Sequence, residues 1–293
     1  MRISSLYGRG VPSLSFEFYP PKTDIAMDSL LSAIDHLDSI APDFVSMTYG
    51  AGGSTRTQSI TAASRVMSHM SGEVMSHLTG VCHTHAEIEE IADQLWSRGI
   101  VNIMGLRGDR PADSADDDPF ASFHFAKELI RFLRSCHDFC IGSGCYPEGH
   151  LETPDIRTGI QHLNEKVDSG CEFLITQMFL ENDSYFRFVD LARTAGIGVP
   201  IIPGIMPVTG FAQLNKFETK FGVRLPTALR ERVSAHEGDK VAIEQIGVDW
   251  AAYQCQELLA QGAPGLHFYT LNKSHATVEV CEHLGLRGTR GRI

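Results

Sequence analysis

The sequence predicts an α/β fold, a (β/α)8 TIM barrel, on three observations. Short apolar, β-branched-rich runs alternate with helix-like stretches at a period of about thirty residues, the repeat of a barrel built from eight such units. A polar or charged side chain closes one strand run after another: Glu17, Thr48, His77, Arg107 with Asp109, Tyr146 with His150, and Gln177. No Gly/Ser/Pro-rich linker or shift in composition divides the 293 residues, so residues 1–293 are expected to form a single catalytic barrel domain. In such a barrel the carboxyl ends of the strands make one mouth, where residues distant in sequence converge.

The strand runs lie at residues 13–19, 44–50, 74–81, 102–108, 139–147, 173–179, 199–205 and 265–271. Helical periodicity marks 27–40, 57–70, 86–98, 120–134, 155–169, 184–195, 210–221 and 274–284. The interval before the eighth strand is long and carries two added helical stretches, 225–235 and 240–261.

Hydrophobic residues make up 43% and charged residues 21%, as expected of a globular chain with a large core. The formal net charge is −11, which disfavours nucleic acid as a partner. Any anionic ligand needs a local basic pocket working against the overall field. The N-terminus lacks an apolar signal segment and no run is long enough to span a bilayer, so no membrane partner and a cytoplasmic location are expected. The seven cysteines form no CxxC pair and are expected as buried, reduced thiols. The acidic run at 113–118 reads as a solvated turn, and the Gly- and Arg-rich 287–293 as a frayed tail. Cys82-His83-Thr84-His85 matches no zinc spacing, so no metal is expected. The glycine-rich 49–54 is neither a Rossmann nor a P-loop motif.

Alternation along the first strand sends Leu14, Phe16 and Phe18 outward to the helices and Ser15 and Glu17 into the barrel. Loss of hydration there favours a neutral carboxyl, raises its pKa and suits Glu17 to general-acid work. Pairing with an interior Arg or Lys is the alternative. Arg107 and Asp109 share a face around Gly108, which lets backbone approach a ligand. Arg107 offers a planar fork to phosphate or carboxylate, and Asp109 an acceptor to the N–H groups of a heterocycle; a mutual ion pair is the other reading. Tyr146 and His150 can stack on or hydrogen-bond a flat ring system. Lys166, late in the next helix, reads by default as solvated. Gln177 is a strand-end amide that must be satisfied if buried. Gln213 and Phe217 lie one helical turn apart on one face.

The stretches SFEFYPPK (15–22), FVSMTYGAGGS (44–54), HLTGV (77–81), GLRGDRP (105–111), CYPEGH (145–150), ITQMF (175–179), IIPGIMPV (201–208) and HFYTLNKS (267–274) occur in order over almost the whole chain. In these the chain resembles the 5,10-methylenetetrahydrofolate reductases of the bacterial, single-domain type. The resemblance implies a barrel that binds FAD at its strand ends. Hydride passes from NADH or NADPH to FAD and then to 5,10-methylenetetrahydrofolate, in a ping-pong sequence that yields 5-methyltetrahydrofolate for one-carbon metabolism and methionine biosynthesis. The bacterial likeness leans toward NADH. The resemblance also implies a homo-oligomer.

Residue by residue, the resemblance assigns Glu17 as general acid, helping the folate's five-membered ring open to an iminium. It places Asp109 beside both flavin and pterin, where it tunes the flavin's redox potential. Thr48, His77, Arg107, Gly108, Tyr146 and His150 match flavin-contacting positions, and Lys166 a phosphate-contacting lysine. Gln177 and Gln213 match folate-contacting glutamines, and Phe217 an aromatic packing on substrate or nicotinamide. Two positions depart from the pattern. Glu165 stands where a basic residue is found beside the phosphates, and Lys273, at a substrate-binding position, replaces an arginine and its bidentate fork. Competing readings are a barrel flavoenzyme of the proline dehydrogenase type and a folate- or flavin-binding barrel without turnover.

Overall fold

The computed structural model describes residues 1–49, 56–111 and 118–289. Parallel strands β1 (Ser13–Phe18), β2 (Phe44–Met47), β3 (Glu73–Thr79), β4 (Asn102–Leu106), β5 (Cys140–Cys145) and β6 (Phe173–Thr176) pair in sequence order. Between them run α1 (Asp24–Asp38), α2 (Arg56–His69), α3 (His85–Ser97), α4 (Ala126–Cys136) and α5 (Ile156–Asp168), and α6 (Asn182–Thr194) follows β6. The seventh stave is two short pieces, β7 (Ile201–Ile202) and β8 (Gly204–Ile205). β7 pairs with β6, and β8 with β9 (Gly265–Tyr269), which pairs with β1; the stave shared by β7 and β8 thus closes the barrel. Before β9 lie α7 (Phe211–Phe221), α8 (Thr227–Ser234) and α9 (Lys240–Ala260), and α10 (His275–His283) ends the fold.

The break in the seventh stave has a chemical cause. Pro203 has no N–H to give the ladder, yet its carbonyl still accepts from His267 N at 3.0 Å. Gly204 N donates instead to Thr176 Oγ1 at 2.9 Å. Gly204 has to be glycine, because a Cβ there would collide with the Thr176 carbonyl oxygen and lie 2.6 Å from the Tyr269 ring.

Leu14, Phe16 and Phe18 are buried in the apolar layer between barrel and helices. A second cluster inside the barrel joins Ile3 and Leu6 of an N-terminal 3-10 turn to Phe44, Met75, Met104 and Phe173. That turn sits at the amino ends of the strands: Ile3 N donates to Asn102 Oδ1 at 2.9 Å, and the terminal amine pairs with Glu73 at 2.7 Å. The turn closes this end, leaving the carboxyl ends as the open mouth. A third cluster packs α7, α8 and α9 together through Leu214, Phe217, Leu229, Val233 and Ile243. Among the described residues no helix is long and apolar enough to cross a membrane.

Several local expectations are corrected. The fourth helix begins at Ala126, not 120, because the Glu128 carboxylate accepts from the amides of His124 and Phe125 and fixes the start there. Residues 287–289 are not a frayed tail: Gly288 N donates to Ile40 O at 3.0 Å, Arg287 to Ser39 O at 2.7 Å, and Thr289 N to Asp43 Oδ1 at 2.9 Å. Five cysteines are buried, but Cys82 is exposed and Cys136 half-buried. Most of the acidic run at 113–118 and of the glycine-rich 49–54 lies outside the described residues, as does the tail from 290.

Candidate active site

Strands β2, β4 and β5 stop before the polar residues that the sequence placed at their ends, whereas His77 lies within β3. Thr48, Arg107, Gly108, Asp109, Tyr146 and His150 therefore sit on the loops just above the ladder. They face a cavity of about 430 Å³, which opens over the carboxyl ends of β3, β4 and β5 and continues outward between α4 and α5. His77, Thr79 and Cys145 also line its inner part; Phe125, Lys127, His162, Glu165 and Lys166 line its outer part. All the positions expected to touch a flavin line this one cavity. Gly108 has to be glycine: its φ is +89°, and a Cβ there would strike Val81.

The cavity's cations are partly neutralised from within. Arg107 pairs with Glu152 at 2.6 Å and lies over the Phe120 ring at 4.8 Å, so its ion-pair partner is Glu152 and not Asp109. Lys127 pairs with Glu165 at 3.0 Å, and His162 Nδ1 lies 3.3 Å from the same carboxylate, which these two neighbours hold below the usual carboxylate range. Lys166 is not the solvated lysine of the default reading. Its Nζ donates to Gly144 O at 2.7 Å, and burial pushes its amine below the usual lysine value. Tyr146 meets His150 edge-on at 4.6 Å between centroids. Burial first, and Asp109 next, push the Tyr146 hydroxyl up to about 12, so it stays a donor at neutral pH. Burial lowers His150, whose Nδ1 accepts from Glu152 N at 3.1 Å.

Glu17 lies beside His77. Its Oε2 is 3.5 Å from His77 Nε2 and 3.6 Å from His267 Nε2. Neither Nε2 has a closer hydrogen-bond partner, although both atoms are buried. Glu17 does not itself line the cavity; His77 connects the two. The expected rise in its pKa is corrected. Burial acts upward and is the largest influence, but the adjacent imidazoles of His267 and His77 outweigh it and hold the carboxyl below its usual value. Its partners are histidines rather than an interior Arg or Lys. His77 is itself lowered, by burial first and by His267.

The remaining expected site residues stand apart from the cavity. Gln177 Oε1 accepts from Met178 N at 3.0 Å, and Gln213 Oε1 from Thr209 N at 2.7 Å. Phe217 is 1% exposed within the α7–α9 cluster, and Lys273 is exposed on the turn after β9. Among the described residues no three His, Cys, Asp or Glu side chains gather as a metal set. His83 is engaged by Tyr49 at 3.0 Å and Val81 O at 2.7 Å.

Sequence reasoning missed His267, Lys127, Glu152, Phe125 and His162. The same alternation that turns Glu17 inward turns His267 inward, since Ser15 and His267 are register partners, and that signal was available. Lys127 and His162 sit on helices, where a strand-end pattern gives no sign of them.

The methylenetetrahydrofolate reductase family model matches residues 2–285. The chain is 36% identical to the 5,10-methylenetetrahydrofolate reductase of Escherichia coli (strain K12) over 279 residues, covering 95% of this chain and 93% of that protein. It is 35% identical to the same enzyme of Pectobacterium carotovorum subsp. carotovorum, over 97% of this chain and 93% of that one. It is 32% identical to methylenetetrahydrofolate reductase (NADH) 1 of Arabidopsis thaliana, over 97% of this chain and 50% of that longer protein. A solved structure from Clostridium thermocellum, an uncharacterized protein that binds two copies of 5-methyl-5,6,7,8-tetrahydrofolic acid, shares the fold at TM-score 0.65 and 13% identity, over 97% of this chain and 99% of that one. The barrel, its polar mouth and a likeness that runs nearly end to end together make this chain a member of the methylenetetrahydrofolate reductase family.

Proposed function

We propose that the chain reduces 5,10-methylenetetrahydrofolate to 5-methyltetrahydrofolate with FAD held in the cavity over β3 to β5, and with NADH or NADPH as hydride donor in a ping-pong sequence. The observation that carries this reading is the single cavity. It combines an aromatic pair suited to a flat ring (Tyr146 and His150) with cations at its outer end (Lys127 and Lys166). Those features suit an elongated ligand with a ring at one end and phosphates further along. FAD, when bound, supplies the hydride relay that no amino-acid side chain can perform.

The protein's own part is positioning, charge and one proton. Tyr146 donates as a neutral hydroxyl, and Arg107 and Lys166 offer positive charge to phosphate. Asp109 places negative charge at the inner end, where it orients a heterocycle's N–H groups and opposes an anionic reduced ring. Glu17 acts as the acid. Nε2 of His77 and of His267 stand beside its carboxylate at 3.5 and 3.6 Å. Gln177, Gln213, Phe217 and Lys273 belong to the folate side of the mouth; until substrate arrives the two glutamines accept from the amides of Met178 and Thr209, and Phe217 packs in the α7–α9 cluster. A cytoplasmic homo-oligomer built of single-domain chains is the matching organisation.

The purified protein's visible spectrum tests the reading. Flavin absorbance should bleach on adding NADH or NADPH and return on adding methylenetetrahydrofolate. Absorbance that neither nicotinamide bleaches would refute it.

A further inference from the structure

The three cations that line the cavity are not alike. Arg107 is held by Glu152 at 2.6 Å and Lys127 by Glu165 at 3.0 Å, whereas Lys166 is bonded to a backbone carbonyl. The Lys127–Glu165 pair bridges α4 and α5, the two helices between which the cavity's outer half runs. His162 leans on the same carboxylate, and its ring stacks on Phe125 at 5.5 Å between centroids. Lys127 also lies over the Phe125 ring at 5.3 Å. Four residues of the outer half thus form one mutually satisfied cluster. An anionic ligand entering there must draw Lys127 away from Glu165 and then sit beside the carboxylate left behind.

We infer that Glu165 is an internal competitor for Lys127 that sets how tightly the cavity holds the phosphates of a flavin dinucleotide, and so sets its discrimination among flavins by phosphate number. This rests on the flavin reading above. A ligand without phosphate leaves the cluster intact and is indifferent to Glu165. A diphosphate ligand has to compete with it. The pair is partly solvated, with side-chain exposures of 27% and 44%, so its removal is worth about two- to fivefold in affinity and is screened by salt.

The test is flavin-free protein titrated with riboflavin, FMN and FAD at low and high salt, with the quenching of flavin fluorescence as readout, for the parent, Glu165→Gln and Lys127→Gln. Glu165→Gln should tighten FAD about two- to fivefold at low salt, with a smaller gain at high salt, and leave riboflavin unchanged. Lys127→Gln should weaken FAD and leave riboflavin unchanged. The inference is overturned if the parent binds FAD but Glu165→Gln binds it equally or more weakly, or if riboflavin shifts as much as FAD. A parent that binds none of the three flavins overturns the cofactor reading itself, and this inference with it.

Discussion

His267 Nε2 lies 3.6 Å from Glu17 Oε2, and the Nδ1 on the opposite side of the same ring is 2.8 Å from Ser15 Oγ. Ser15 and Glu17 are successive inward residues of β1, and His267 is Ser15's register partner on β9. One imidazole thus ties two side chains of a neighbouring strand into a line, and His77 from β3 faces the same carboxylate at 3.5 Å from the other side.

On the proposed mechanism, Glu17→Gln keeps flavin binding and flavin reduction by nicotinamide but slows folate reduction by about 10²- to 10⁴-fold, the usual worth of a general acid. Stopped-flow measurement of the two half-reactions separates the steps. Normal folate reduction in this variant would remove Glu17 from the acid role.

Asp109→Asn is expected to raise the flavin's reduction potential, because it removes a negative charge that opposes an anionic reduced ring. Anaerobic titration against a reference dye reads the potential directly. An unchanged value would leave Asp109 only an orienting role.

Stability should fall as the medium turns mildly acidic. Burial depresses His77 in the folded protein, so below the ordinary histidine value of 6.5 the unfolded chain binds the proton more readily than the folded one. The stability is present above 6.5 and lost as pH falls from there toward the depressed folded value. Glu17, also depressed, acts in the same sense, with loss beginning below its ordinary 4.5. Melting temperatures between pH 8 and pH 5 check this, and His77→Gln should flatten the upper part of the profile. An equal slope in parent and variant would exclude His77 as the source.

Gly204→Ala should destabilise the barrel by about 1–3 kcal/mol, the cost of forcing one methyl into a filled core. The added Cβ meets the Thr176 carbonyl oxygen and the Tyr269 ring at the seam where the split seventh stave closes the sheet. Urea unfolding measures the loss; a variant as stable as the parent would mean that the seam yields without cost.

The barrel was legible because its signals are local. Leu14, Phe16 and Phe18 alternate with Ser15 and Glu17, and six of the eight strand runs end on a polar residue followed by helical periodicity. The cavity lining was largely legible for the same reason, since Thr48, His77, Arg107, Asp109 and Tyr146 each close or follow a strand, and the fold places strand ends together. Glu165 was noticed as out of pattern, but its partner Lys127 was not, since the two meet across helices 38 positions apart in sequence.

The amino-acid sequence by itself determined the repeating β/α order, the inward face of the first strand and the family, because periodicity and local motifs depend only on neighbours along the chain. Tertiary structure alone decided which charges meet. Arg107 took Glu152 in place of Asp109, Glu17 took two histidines and lost its expected upward shift, and the tail from 287 to 289 was tied to the start of β2. Electrostatic partners are chosen by distance in space, and closing a barrel sets those distances between residues that no periodicity relates.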